Sequence, residues 1–265
     1  MKHFYIKSLI LAVLIAVLFG VCFRFAKGTE ENVADTATAY NLSSWLLKNG
    51  VSIDKDIIDL STKHVVYTTM NNTVSDRKAS AENILGEGIT SSADTYRGPN
   101  GTVVFANDTF KFTPTDGLFE KIVSGVDKYN SAKKAEQIIK ELGFDIKGSI
   151  ISGGVENEHF VAHITKTINS LPVFDDRISV CMDKNQVISV EGIWYVPQSG
   201  KAQKRKAKSA VDALTELAHQ IGGGEKTTET SMTLGSKLKH TGDMTELEPV
   251  WRFEINNDDI VYIGA

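Results

Sequence analysis

From Leu171 to Pro197 the chain alternates apolar and polar positions. Phe174, Ile178, Val180 and Met182 fall in one phase and Asp175, Arg177, Ser179 and Cys181 in the other, the period-two signature of a half-buried strand. Asp183-Lys184-Asn185-Gln186 supplies turn residues, and Val187–Val196 returns with β-branched and aromatic residues. The stretch therefore predicts a β-hairpin. The pattern recurs near the C-terminus, where Glu248-Pro249-Val250-Trp251 echoes Leu171-Pro172-Val173-Phe174. A strand over Arg252–Ile255, a turn over Asn256–Asp259 and a return strand over Ile260–Ile263 follow. Each copy comes after a helical stretch, so a helix-then-strands unit reads as duplicated. Phe174, Ile178, Trp251 and Ile255 are its expected repeated core, with Phe174 and Trp251 equivalent.

The remaining pattern alternates helices and strands. Thr36–Lys48 predicts a short amphipathic helix with Ala39, Leu42 and Leu46 on one face and Asn49-Gly50 as its stop. Strands are expected over Lys63–Met70 and in a hairpin over Tyr96–Pro114, with Val103 and Phe105 facing Phe110 and Phe112 across Asn107-Asp108. Between them Ser75 would cap a weak helix ending at Leu85. Asn130–Leu142 and Arg205–Ile221 carry clear 3.6-residue apolar stripes stopped by Gly143 and Gly222. Strands over Ile146–Ile151, His159–Ile168 and Met232–Leu238 complete the pattern. The expected class is α+β, and the punctuation around Thr113–Gly117 divides it into units over 33–116 and 117–265.

One segment departs from this pattern. Ser8–Phe23 is unbroken apolar, with Lys2 and Lys7 before it and Arg24 and Lys27 after it. Sixteen helical residues span roughly 24 Å, and flanking aromatic and cationic residues extend the reach toward a hydrocarbon core of ~30 Å. A cleaved signal peptide is the rival, but the bulky, charged Phe23-Arg24-Phe25-Ala26-Lys27 is a poor cleavage context. The segment is expected to be an uncleaved transmembrane anchor over residues 8–27, with 1–7 as a cytoplasmic tail and the rest extracytoplasmic. Ala12, Ala16 and Gly20 lie four apart and form a candidate helix-packing face.

Composition narrows the function by subtraction. A formal net charge of −4 gives no reason to expect nucleic acid. Cys22 and Cys181 cannot build a disulfide framework. Ile221-Gly222-Gly223-Gly224-Glu225-Lys226 lacks the order of a phosphate loop, since its glycines follow a helix and Glu225 precedes the lysine. His159 and His163 sit on a strand, which holds them about 13 Å apart as two solvated side chains, too far to share a metal. Asp258-Asp259 reads as turn chemistry and Asp175-Asp176 as edge charge that blocks further strand pairing. Lys201, Lys204, Arg205, Lys206 and Lys208 form a candidate basic contact patch, or else a solvated loop and helix start. No triad, nucleotide fingerprint or metal spacing remains, so neither catalysis nor a cofactor is expected.

The anchor, Asn49-Gly50-Val51 after the first helix, the Leu171–Pro197 hairpin and Pro249-Val250-Trp251 together resemble the YycI branch of the YycH/YycI proteins of Gram-positive bacteria, and the duplicated unit resembles PepSY-type repeats. The resemblance implies a non-enzymatic, single-pass accessory regulator of a two-component sensor histidine kinase of cell-wall metabolism. Its implied partners are the membrane, the kinase and a homologous anchored regulator. PepSY resemblance also allows an anchored binder or inhibitor of an extracytoplasmic protease, and an anchored hydrolase with a scattered site is a third reading.

Overall fold

The computed structural model describes residues 37–198, 202–221, 227–242, 244–256 and 259–265. The apolar run with Ala12, Ala16 and Gly20, together with Lys201, the Gly222–Gly224 run and Asp258, lies outside these residues. Among the described residues no helix is long and apolar enough to cross a membrane.

The chain begins with α1 (37–48), β1 (Val51–Ser52) and a 3₁₀ turn, then β2 (His64–Tyr67), β3 (Thr69–Asn72) and α2 (Arg77–Leu85). Four strands follow, β4 (Thr90–Ser92), β5 (Thr95–Gly98), β6 (Gly101–Ala106) and β7 (Thr109–Pro114). Next come α3 (Glu120–Val123), α4 (Ser131–Glu141), β8 (Ile150–Glu156), β9 (His159–Ile168), β10 (Leu171–Asp183) and β11 (Gln186–Gly192). The last elements are β12 (Tyr195–Pro197), β13 (Gln203–Lys206), α5 (Ala210–Ile221), β14 (Thr227–Thr241), β15 (Met244–Ile255) and β16 (Asp259–Gly264).

Two compact units are present. The smaller draws its described residues from Met1–Ser61, Ser209–Met232 and Phe253–Val261. In it α1 buries Ala39, Leu42 and Leu46, the stripe read from the sequence. Gly50, at φ +88°, ends the helix in the left-handed region. The helix expected from Arg205 begins instead at Ala210. Lys204, Arg205 and Lys206 would oppose the positive end of the helix dipole. Ser209 supplies the cap, its hydroxyl accepting the Asp212 N–H at 3.1 Å and donating to the Asp212 carboxylate at 2.7 Å.

The larger unit comprises Thr62–Lys208, Thr233–Arg252 and Tyr262–Ala265. Its sheet runs β12-β3-β15-β14-β10-β11-β7-β6-β5-β4, and β9 pairs with β10 and β8. α2, α3 and α4 cover one face. Their Ile84, Leu85, Val123, Ala135, Ile138 and Ile139 pack on Val103, Phe105, Phe110, Phe112, Ile164, Ile178, Val180 and Val190. The β6–β7 hairpin has the register expected, Val103 opposite Phe112 and Phe105 opposite Phe110, with Asn107 at φ +52° in the turn. The sheet crosses the boundary expected at 116/117, because Phe112 on β7 pairs with Val190 on β11. Thr115 N–H reaches the Asn100 carbonyl at 2.9 Å, continuing the β6–β7 ladder past Pro114, so that punctuation carries the chain from the sheet into α3. α2 takes its cap from Asp76, whose carboxylate accepts the Ala79 N–H, and not from Ser75.

Strand β8 also differs from expectation, running Ile150–Glu156 through Gly153-Gly154 instead of ending at Ile151. Glycine is needed there because a Cβ on Gly153 would lie 2.4 Å from Ser131 Oγ. Its absence lets α4 pack directly on the strand.

Along the chain a helix precedes a run of strands twice, α4 before β8–β11 and α5 before β14–β16. Ile178 and Ile255 are both buried. Phe174 and Trp251 are not alike, however. Trp251 is buried and donates its Nε1–H to the Lys208 carbonyl at 3.0 Å. Phe174 is half-buried, its ring 5.8 Å from that of Tyr262, and the neighbouring Val173 takes the fully buried place. The cause is a register shift of β10 against β9 between Pro172 and Arg177, which changes the strand's phase.

Candidate functional site

The same irregularity builds the site. Strand β10 pairs antiparallel with β9 at Leu171 and Pro172 and again from Arg177, and in parallel with β14 at Val173–Ser236. In the interrupted stretch side chains replace ladder partners. The Asp175 carboxylate accepts the Leu238 N–H at 3.2 Å. Both oxygens of Asp176 accept the Tyr195 N–H, at 3.0 and 3.2 Å. The sequence reads this pair as edge charge that blocks further strand pairing. Asp176 is instead fully buried, because it satisfies a backbone donor that no strand reaches.

Burial pushes the Asp176 carboxyl up to about 7, against the opposing pull of the Tyr195 N–H and of Lys166, while Asp175 adds to the rise. Burial likewise lowers Lys166, opposed by Asp176 and Asp145. Lys166 Nζ lies 4.5 Å from the ring centroid of Trp194, a cation–π contact. A carboxyl, an amine and an indole thus share one poorly solvated place where charge depends on small changes.

Gly192 sets up the approach of Trp194 and Tyr195. It sits at φ +154°, and a Cβ there would lie 2.2 Å from the Arg177 carbonyl. The chain then leaves β11, buries Trp194 to 1% exposure and enters β12. The Trp194 carbonyl accepts both the N–H and the hydroxyl of Thr73, at 2.9 and 2.8 Å. Its own Nε1–H is buried without a partner.

Trp194 forms one wall of a cleft of about 530 Å³ with Val74, Ile84, Leu142, Phe144 and Val196, joined by Asn83, Glu141 and Asp145. Phe144 is held in place by stacking on Phe110, with centroids 5.2 Å apart. Apolar walls with two carboxylates suit an apolar or aromatic group that carries a nearby cation. Among the described residues no cluster of three His, Cys, Asp or Glu could hold a metal.

The remaining sequence candidates fall elsewhere. Lys204, Arg205 and Lys206 are exposed on β13, which pairs with β2, and Arg205 lies 4.8 Å from the Tyr67 ring centroid. Lys208 is half-buried beyond the strand. They do not converge on the cleft. His163 was expected to be solvated. It bridges strands instead, with Nδ1 2.9 Å from Ser179 Oγ and Nε2 2.9 Å from Glu156 Oε1. His159, also expected to be solvated, is half-buried on the same strand, with its Nδ1 buried and without a partner. Burial raises the Cys181 thiol, with Glu191 and Glu156 adding to the rise, so it is a poor nucleophile.

No family model matches the chain, and no curated protein matches it. Among solved structures it is similar to an uncharacterized protein from Eubacterium rectale ATCC 33656. That match has 10% identity and a TM-score of 0.48 over 79% of this chain and 84% of that one. It is also similar to YycH from Bacillus subtilis, with 10% identity and a TM-score of 0.47 over 77% of this chain and 53% of that one.

Proposed function

We propose that this chain is a single-pass, membrane-anchored regulator that works by binding, without catalysis, outside the membrane of a Gram-positive bacterium. The proposed partner is a two-component sensor histidine kinase, with a homologous anchored regulator beside it. The observation that carries the reading is the cleft at Trp194, whose apolar walls, joined by Glu141 and Asp145, suit capture of a polypeptide side chain. The apolar run Ser8–Phe23 supports the tether, and Pro249-Val250-Trp251 with the Leu171–Pro197 hairpin supports the choice of partner. In this reading the anchor helix packs on a kinase helix through Ala12, Ala16 and Gly20, and the external domain biases that packing.

Two sets of variants test it. Asn83 is exposed at the cleft, so Asn83→Trp fills the cleft without disturbing the core. Leucine at Ala12, Ala16 and Gly20 fills the helix groove. Each should lower co-purification with the kinase and change kinase output in cells. Wild-type values for both sets would reject the reading.

A hydrolase is the second reading, favoured by the Ser179–His163–Glu156 hydrogen-bond chain. The three side chains lie on strands β10, β9 and β8 and line none of the three cavities described, and Ser179 is flanked by paired strands on both sides. Binding is therefore preferred.

A further inference from the structure

The ends of the larger unit's sheet are treated unequally. β4 is three residues long, and β12 is three residues long and closes on Pro197. Short strands and proline are the usual protection of a sheet edge. β8 has none of this protection. It runs seven residues, IISGGVE, in unbroken register with β9, and contains no lysine, proline or bulge. Among the described residues it pairs only with β9, so its outer row of backbone N–H and C=O groups is open. Two of its apolar side chains, Ile150 and Val155, are 50% and 53% exposed.

We infer that β8 pairs antiparallel with β8 of a second copy of this chain, joining two sheets across a two-fold axis at Gly153. Its odd positions face α4, as the approach of Ser131 and Ala132 to Gly153 shows, and its even positions face the other way, as the contact of Glu156 with His163 shows. Pairing centred on Gly153 sets Ile151 opposite Val155 of the second copy twice, extending the core beneath α4. It sets Ser152 opposite Gly154 and Ile150 opposite Glu156 on the other face. α4 lies over β8 and β9. With strands about 4.8 Å apart, the two α4 helices would then run about 10 Å apart, an ordinary helix-packing distance.

The groove beside the edge has room for this. A cavity of about 400 Å³ lies between α4 and the start of β8, lined by Glu136, Lys140, Phe144, Ile146 and Ile151. The incoming strand would cover it. The pairing holds whichever kinase the chain regulates, and it leaves the Trp194 cleft open.

The test uses the full chain in membranes and in detergent, with Cys22 and Cys181 replaced by serine. Ser152→Cys combined with Gly154→Cys places two thiols opposite two thiols in the paired form, and a Cβ on Gly154 meets nothing within 4 Å. Mild oxidation should give a disulfide-linked dimer. Val155→Lys, a lysine on an exposed edge position, should abolish the cross-link and weaken self-association at least about tenfold. A chain that stays monomeric and uncross-linked at high concentration overturns the pairing. So does a cross-link that survives Val155→Lys, or a complex formed only with a strand of another protein. Normal kinase regulation by the Val155→Lys variant would leave the proposed function standing while the dimer is lost.

Discussion

The carboxylate of Asp176 holds the backbone N–H of Tyr195 with both oxygens, at 3.0 and 3.2 Å, with no exposed surface of its own. The contact closes the irregular stretch of β10 onto the chain that carries Trp194 to the cleft. It also fixes a pH dependence. The Asp176 carboxyl is raised from 3.8 to about 7. Between those values the folded protein keeps a proton that the unfolded chain releases. The stability contribution is therefore full below about pH 4, declines as pH rises toward 7, and is gone above that. The full shift corresponds to about 4 kcal/mol as an upper limit. Denaturant unfolding from pH 4.5 to 8 should show the decline in the wild type and a flatter profile in Asp176→Asn. Equal slopes in the two proteins would rule out Asp176 as the source.

That residue also shows what the sequence could and could not disclose. Asp176 has the parity of Ile178, Val180 and Met182, which points it inward, but Phe174 has the same parity and is only half-buried. What alternation hides is the register shift before Arg177, which depends on pairing with β9 and β14 and moves Val173 inward in place of Phe174. Elements held by local chemistry were legible: α1, with its Leu42 and Leu46 stripe and Gly50 stop, and the β6–β7 hairpin. β8 was not, because Gly153-Gly154 reads as a break until α4 is seen packed on it. The Lys166–Trp194 pair joins residues that no local pattern connects.

Gly235 and Phe174 occupy shared space. A Cβ on Gly235 would come within 2.5 Å of the Phe174 ring and 2.6 Å of the Pro172 carbonyl. Gly235→Ala should cost about 2–3 kcal/mol by overpacking. Phe174→Leu should restore part of that loss in the double variant, and the Pro172 carbonyl should prevent full recovery. Additive effects in a double-mutant cycle would show that the ring is not what excludes the methyl group.

Trp251 and Phe174 should respond unequally to truncation. Trp251 is 4% exposed and bonded to the Lys208 carbonyl, so Trp251→Ala should cost about 3–5 kcal/mol. Phe174 is half-buried, with the Arg252 guanidinium 5.6 Å from its ring centroid. Phe174→Ala should cost only about 1–2 kcal/mol. Equal losses in denaturant unfolding would restore the two positions as equivalents in a repeated unit.

The Ser179–His163–Glu156 chain separates binding from hydrolysis. A nucleophilic serine needs a base, an oxyanion site and a walled place for substrate. Ser179 has the base, since His163 Nδ1 lies 2.9 Å from its hydroxyl. It sits mid-strand, however, between Glu191 on β11 and His163 on β9, where the ladder already engages the backbone. A fluorophosphonate probe should therefore leave Ser179 unlabelled, and Ser179→Ala should lose about 0.5–1 kcal/mol of stability with no change in kinase output. Labelling at Ser179 that disappears in His163→Ala would make the chain an enzyme and overturn the binding-only function.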